Sequence, residues 1–171
     1  MTTVHIQTGE RFVASIRTPG DKSISHRALM LSALASGSSS IQGLSDGEDV
    51  GRTKTIIQQL GASVVEHDGH VTVTGPESGL RATSETLDCG NSGTTIRLLI
   101  GLVAGIPGLH HLDGDASLRR RPMDRVAAPL DLMGVHVEGQ GPTHTPPVTV
   151  TGIRHPRATS YHVPKASAQV K

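Results

Sequence analysis

The chain has 171 residues, a single cysteine and two aromatic residues, with 16 Lys+Arg against 15 Asp+Glu for a formal charge of +1. That length can bury a sizeable aliphatic core, while the near-zero charge and scarce aromatics exclude a nucleic-acid binder driven by phosphate neutralisation or base stacking. The longest apolar run, Leu98–Gly108, is too short to span a bilayer, and one cysteine excludes an internal disulfide framework.

In chain order, the pattern predicts a helix over about 25–35, stopped by Ser36-Gly37, and a short strand over 40–44. A second helix is expected over 49–60, with its cap within Asp46-Gly-Glu-Asp49. Strands over 63–67 and 70–74 flank Asp68-Gly69, a two-residue hairpin signal. The same order then returns: a helix over 94–104, a strand over 110–112, a helix over 124–133, and a closing hairpin of 135–137 with 148–150. With a strand leading in, each set is a βαβαββ unit of an α/β protein.

The sequence carries the same periodicity. Arg27-Ala-Leu-Met-Leu-Ser-Ala-Leu-Ala-Ser-Gly37 resembles Arg97-Leu-Leu-Ile-Gly-Leu-Val-Ala-Gly105. Val71-Thr-Val-Thr-Gly75 recurs as Val148-Thr-Val-Thr-Gly152, and Arg81-Ala-Thr-Ser84 as Arg157-Ala-Thr-Ser160. The period is too long for a solenoid and suits larger stacked units. A third unit begins near Tyr161, and Lys171 falls in the first turn of its helix, so a fragment of a longer protein is expected.

Three equivalent helix entrances carry Lys22-Ser23, Asn91-Ser92-Gly93 and Ser167-Ala168-Gln169. Around a pseudo-threefold axis they would face one space, where unpaired N–H groups and helix dipoles favour an anion such as phosphate or carboxylate. Lys22, Arg27, Arg97 and the run Arg119-Arg120-Arg121 add cations. Taken singly, each feature also has a plain structural reading: a solvated helix start, an Asn-Gly turn, a basic surface loop. Recurrence at matching positions favours a site for the first two and says less about the arginine run.

Other chemistry is not supported. The chain lacks a Walker loop, a dinucleotide fingerprint and a GxSxG elbow. Its ten histidines lack HExxH spacing, so neither metal nor cofactor is expected. Asp46, Glu48 and Asp49 read as helix caps, and Cys89 as a small buried thiol.

Gly20-Asp-Lys-Ser-Ile-Ser-His-Arg27, Gly90-Asn-Ser-Gly-Thr-Thr-Ile-Arg97, Gly114-Asp-Ala-Ser-Leu-Arg-Arg-Arg-Pro122 and Ala166-Ser-Ala-Gln-Val-Lys171, in this order, resemble the 5-enolpyruvylshikimate-3-phosphate synthase family. The form Ser167-Ala168-Gln169 is closest to bacterial members. The resemblance implies an inside-out α/β barrel of two lobes, each of three βαβαββ units, here truncated. Residues 1–16 would be strands belonging to the second lobe, and 17–171 would form two units of the first lobe plus the start of a third.

The implied activity is transfer of the enolpyruvyl group of phosphoenolpyruvate to the 5-hydroxyl of shikimate 3-phosphate, with release of phosphate. Lys22, Ser23, Arg27, Ser167 and Gln169 would bind shikimate 3-phosphate, and Lys22, Asn91, Gly93, Arg121 and Gln169 phosphoenolpyruvate. Lys22 would take part in catalysis, whereas the acid–base carboxylates belong to the absent lobe. The resemblance further implies a monomeric cytoplasmic enzyme, inhibited by glyphosate where Gly93 leaves room for it, and inactivity of this chain alone. Two rivals remain: the related transferase acting on UDP-N-acetylglucosamine, which uses a reactive cysteine, and a non-catalytic phosphate-binding half-domain.

Overall fold

The computed structural model describes residues 18–164 and 167–170, together with His5, Gly9 and 13–16. The first unit contains α1 (Lys22–Leu34), β1 (Gly37–Gln42), α2 (Glu48–Gln59), β2 (Ser63–His67) and β3 (His70–Gly75). The second contains β4 (Thr86–Asp88), α3 (Gly93–Val103), β5 (Gly108–Asp113), α4 (Asp124–Leu132), β6 (His136–Gln140) and β7 (Thr145–Gly152), with a 3-10 turn at Leu118–Arg120.

The sheets repeat as the sequence does. One has the order β1-β3-β2 and the other β4-β5-β7-β6, so β1, β2 and β3 correspond to β5, β6 and β7. Strand β4 leads into the second unit and pairs parallel to β5, while the other pairings are antiparallel. The strands expected within 1–16 fall largely outside the described residues, and 13–16 carry no regular structure.

The two helices at the site start earlier than the hydrophobic periodicity suggests, because each is set by a side-chain cap. The Asp21 carboxylate accepts the Ile24 N–H at 2.7 Å, so α1 begins at Lys22 rather than near Ser25. Ser92 Oγ accepts the Thr95 N–H at 3.1 Å and starts α3 at Gly93. Helix α2 is preceded by Gly47, which has no capping side chain, and carries Glu48 and Asp49 in its first turn. Asp68 and Gly69 both adopt positive φ, 48° and 75°, as their two-residue hairpin requires.

Packing reproduces the repeat in detail. A Cβ on Gly75 would lie 2.1 Å from the Ala35 carbonyl oxygen, and one on Gly152 would lie 2.0 Å from that of Ile106. Each glycine therefore lets its strand end run directly against the backbone that leaves a helix. The paired Arg-Ala-Thr-Ser segments are equivalent too: Arg81 N donates to Leu60 O at 3.0 Å, and Arg157 N to Met133 O at 2.8 Å.

Leu29, Ala33, Val50, Ile57, Val71 and Val73 form the first unit's core. The larger second core, around Ile96, Leu99, Ile100, Leu112 and Val150, also takes in Met30 from α1, Ile56 from α2 and Leu60 from the cap of α2. The seam between the units is thus dry and packed, and it fixes the entrances of α1, α2 and α3 relative to one another.

Candidate functional site

At the amino ends of these helices lies an open cleft of about 330 Å³, lined by Lys22, Asp49, Asn91, Gly93, Thr94, Arg97, Arg121 and Gln169. Five of these are residues assigned to the site from sequence: Lys22, Asn91, Gly93, Arg121 and Gln169. Ser167 lies on an adjoining cleft of about 230 Å³ with Pro122, Arg125 and Val170, and the two clefts share Arg97 and Gln169. Ser23 is half-buried and Arg27 exposed on α1; neither lines the main cleft.

Each wall has its own support. Lys22, the first residue of α1, donates to Asp49 Oδ2 on α2 at 2.6 Å. Burial alone would raise the Asp49 carboxyl, but the hydrogen bond and charge of Lys22, aided by Ser92 and His26, hold it below the usual carboxylate range.

Across the cleft, Asp115 Oδ1 accepts the Ser117 and Leu118 N–H groups, at 2.9 and 2.7 Å, and so organises the 3-10 turn. Its other oxygen accepts Asn91 Nδ2 at 2.8 Å, and the Asn91 amide oxygen in turn accepts Arg121 Nη2. Asn91 is thereby a bracket that aims Arg121. Arg119 points elsewhere, to Asp113, so only one residue of the arginine run, Arg121, reaches the cleft.

The 167–170 segment is joined to the entrance of α3 through Gln169. Its Nε2 donates to Thr94 Oγ1 at 3.1 Å, and its Oε1 accepts Arg97 Nη1 at 3.4 Å. The backbone at 168–170 forms a turn, with Val170 N donating to Ser167 O.

Gly93 sets the floor. A Cβ there would lie 2.8 Å from Nη1 of both Arg97 and Arg121, so two guanidinium groups occupy the space that the missing side chain leaves. Arg97 is partly desolvated, and burial together with the charges of Arg121 and Arg125 pushes its pKa down. Three cations against one carboxylate line the cleft, so an anion entering it relieves repulsion already present in the fold.

Three members of the cleft, Asp49, Thr94 and Arg97, were not assigned as substrate-binding residues from sequence. Arg97 had a signal, since it is the repeat counterpart of Arg27. Asp49 had none, because α2 carries it there through tertiary packing and its position in the first turn reads as helix-dipole complementarity. Cys89 is fully buried, and burial pushes its thiol pKa strongly upward. A reactive-cysteine mechanism therefore has no support at that residue.

Known proteins resemble this chain throughout. Residues 6–171 match the family model described as EPSP synthase (3-phosphoshikimate 1-carboxyvinyltransferase). A protein of Streptococcus uberis named 3-phosphoshikimate 1-carboxyvinyltransferase is 49% identical over 158 residues, covering 92% of this chain and 37% of its own. A Synechococcus protein of the same name is 46% identical over 170 residues, covering 97% of this chain and 38% of its own. The solved structure of EPSP synthase from Acinetobacter baumannii superposes with a TM-score of 0.84 at 41% identity, covering 91% of this chain and 36% of that one. The chain thus spans a little over a third of the length of the relatives it matches.

Proposed function

The chain belongs to the EPSP synthase family, and from that premise we propose that it supplies one wall of the site that transfers the enolpyruvyl group of phosphoenolpyruvate to shikimate 3-phosphate. The observation that carries this is the convergence on one cationic cleft of Lys22 from the start of α1, Asn91, Gly93 and Arg97 from the start of α3, Arg121 from the end of the 3-10 turn and Gln169 from the 167–170 segment. In this reading Lys22 sits between the two substrates. Asn91, Gly93 and Arg121 hold phosphoenolpyruvate, Ser167 faces the 3-phosphate from the adjoining cleft, and Gln169 lies where the clefts meet. Ser23 and Arg27 hold the shikimate ring and its carboxylate from the exposed face of α1.

The physical logic is charge neutralisation and proximity. Two phosphorylated anions repel, and guanidinium groups with helix amino ends permit their approach. Once both are held, the 5-hydroxyl stands near the enol carbon, which lowers the entropic part of the barrier. The complete enzyme is read as a monomeric cytoplasmic protein of bacterial type, sensitive to glyphosate through the room at Gly93. This chain alone, about a third of its relatives' length, is expected to bind without turnover.

Calorimetric titration of the chain with shikimate 3-phosphate, beside Lys22→Ala, tests the reading. Saturable heat in the parent, weakened roughly tenfold or more by loss of one charge-assisted contact, is the expected result. No heat from a chain shown to be folded would overturn it.

A further inference from the structure

Beside the anion cleft lies a second one of about 340 Å³, whose lining includes Arg52, Asp88, Gly90 and Asp115. The two clefts share no lining residue, and one turn divides them: Gly90 faces the second and Asn91 the first. Arg52, on α2 of the first unit, reaches this turn from across the seam. Its Nη1 donates to Oδ2 of Asp88, the last residue of β4, at 2.5 Å. The other carboxylate oxygen, Asp88 Oδ1, accepts the Gly90 N–H at 2.8 Å. The arginine also lies over Gly90 itself, since a Cβ there would stand 3.1 Å from Arg52 Nε.

From Gly90 the contacts run on to the anion cleft. Its carbonyl accepts the Asp115 N–H at 2.9 Å, and the Asp115 carboxylate holds the Asn91 amide that aims Arg121. Two backbone bonds, Cys89 N to Asp113 O and Ser92 N to Cys89 O, secure the ends of the turn. Among the described residues the Gly90 N–H between them has Asp88 as its partner. The clamp is not something the repeat demands. Counted from the starts of α2 and α4, the counterpart of Arg52 is Ala128, and the counterpart of Asp88 at the opening of the third unit is Pro164. Glu48 accepts Arg52 Nη2 from the solvent side at 3.3 Å and belongs to neither cleft.

We propose that Arg52 is a positioning residue for the anion cleft: by clamping Asp88 it sets the Gly90 turn, and through that turn the placement of Asn91 and Arg121. Asp49, on the same turn of α2, holds Lys22 on the other wall. The opening of α2 thus spaces the two walls. The consequence for ligand binding rests on the functional reading above, whereas the placement of Asn91 does not. The pair is partly exposed, at 39% for Arg52 and 55% for Asp88, and such pairs contribute little to stability. Its loss should leave the fold intact and show in geometry.

The test compares the whole chain with Arg52→Met, Asp88→Ala, their double variant and Glu48→Gln. Ligand-free NMR follows the Asn91 side-chain amide, and calorimetry measures the affinity for inorganic phosphate. Both single variants are expected to shift the Asn91 signals and to weaken phosphate binding by about two- to fivefold. The double variant should be no weaker than the weaker single, because both break one chain of contacts, and Glu48→Gln should match the parent. Removing Arg52 makes the chain less cationic and removing Asp88 makes it more so. A plain charge effect would therefore move phosphate affinity in opposite directions. Opposite changes, additive losses, or Asn91 signals unmoved in both single variants would overturn the proposal. If Asp88→Ala fails to fold, the Asn91 shift of Arg52→Met set against Glu48→Gln decides. Failure of phosphate to bind the parent would sink the anion reading of the cleft, and the Asn91 signals would still decide the positioning role.

Discussion

Gly93 shows how much of the cleft hangs on single atoms. Because an added methyl would sit 2.8 Å from two guanidinium nitrogens, Gly93→Ala has to displace Arg97 or Arg121. The loss of one charge-assisted hydrogen bond corresponds to about 1.5–3 kcal/mol, so inorganic phosphate should bind Gly93→Ala at least roughly tenfold more weakly by calorimetry. Equal affinity would mean that the arginines relax without consequence. At this scale the lining of the cleft was readable in the sequence at Lys22, Asn91 and Gly93, which stand at helix entrances, though Ser23 and Arg27 on α1 lie outside the main cleft. The adjacent cap and glycine announce the entrance, and the polar residue beside it has no packing role. Arg121 was ambiguous among three arginines until Asn91 and Asp115 selected it. Asp49 was illegible, since only the docking of α2 against α1 brings its carboxylate to Lys22.

At the scale of elements, the two close approaches of strand to helix make a matched pair of experiments. Gly75→Ala and Gly152→Ala each force a methyl to about 2 Å from a backbone carbonyl oxygen, that of Ala35 just after α1 and that of Ile106 just past α3, where backbone rather than a flexible side chain would have to give. Overpacking of this kind costs typically about 1–3 kcal/mol, so both variants should show lower urea midpoints by similar amounts. Gly51 on α2, with open space around it, provides the control. The order of elements was legible because the two units repeat and because Asp68-Gly69 permits one hairpin geometry. Boundaries were less so. Helix α1 starts three residues early because Asp21 supplies a cap, and β1 starts at Gly37 rather than Ser40 because the positive φ of Gly37 lets the chain turn straight into the sheet.

For the whole molecule, buried histidines set the response to acid. Burial lowers the pKa of His26 and of His110, the latter despite its bond to the Ile106 carbonyl, from an ordinary value of 6.5. The unfolded chain takes up these protons more readily than the folded one. Stability is therefore full above pH 6.5 and falls as the pH drops below it. The depressed carboxyl of Asp49 extends that decline into the range below 3.8, where unfolded aspartates gain protons first. Thermal midpoints measured from pH 7.5 downward should be flat at first and then fall, and replacing His110 with a neutral residue of similar volume should soften the fall near pH 6. A midpoint indifferent to pH across this range would contradict the assignment of both rings as neutral in the fold.

Cys89, the single cysteine of the chain, sits where β4 hands over to the Gly90 turn, its N–H donating to Asp113 O at 2.8 Å and its thiol fully enclosed. No reagent can reach that sulfur until the short β4–β5 ladder parts and the entrance to α3 swings away. The rate at which a thiol-reactive dye labels the native protein is therefore a clock for the opening of the anion cleft. A ligand that closes over Asn91 and Gly93 should slow that clock in proportion to its occupancy. The molecule thus contains its own reporter, placed one residue from the glycine turn that shapes the site, with no need of an engineered label.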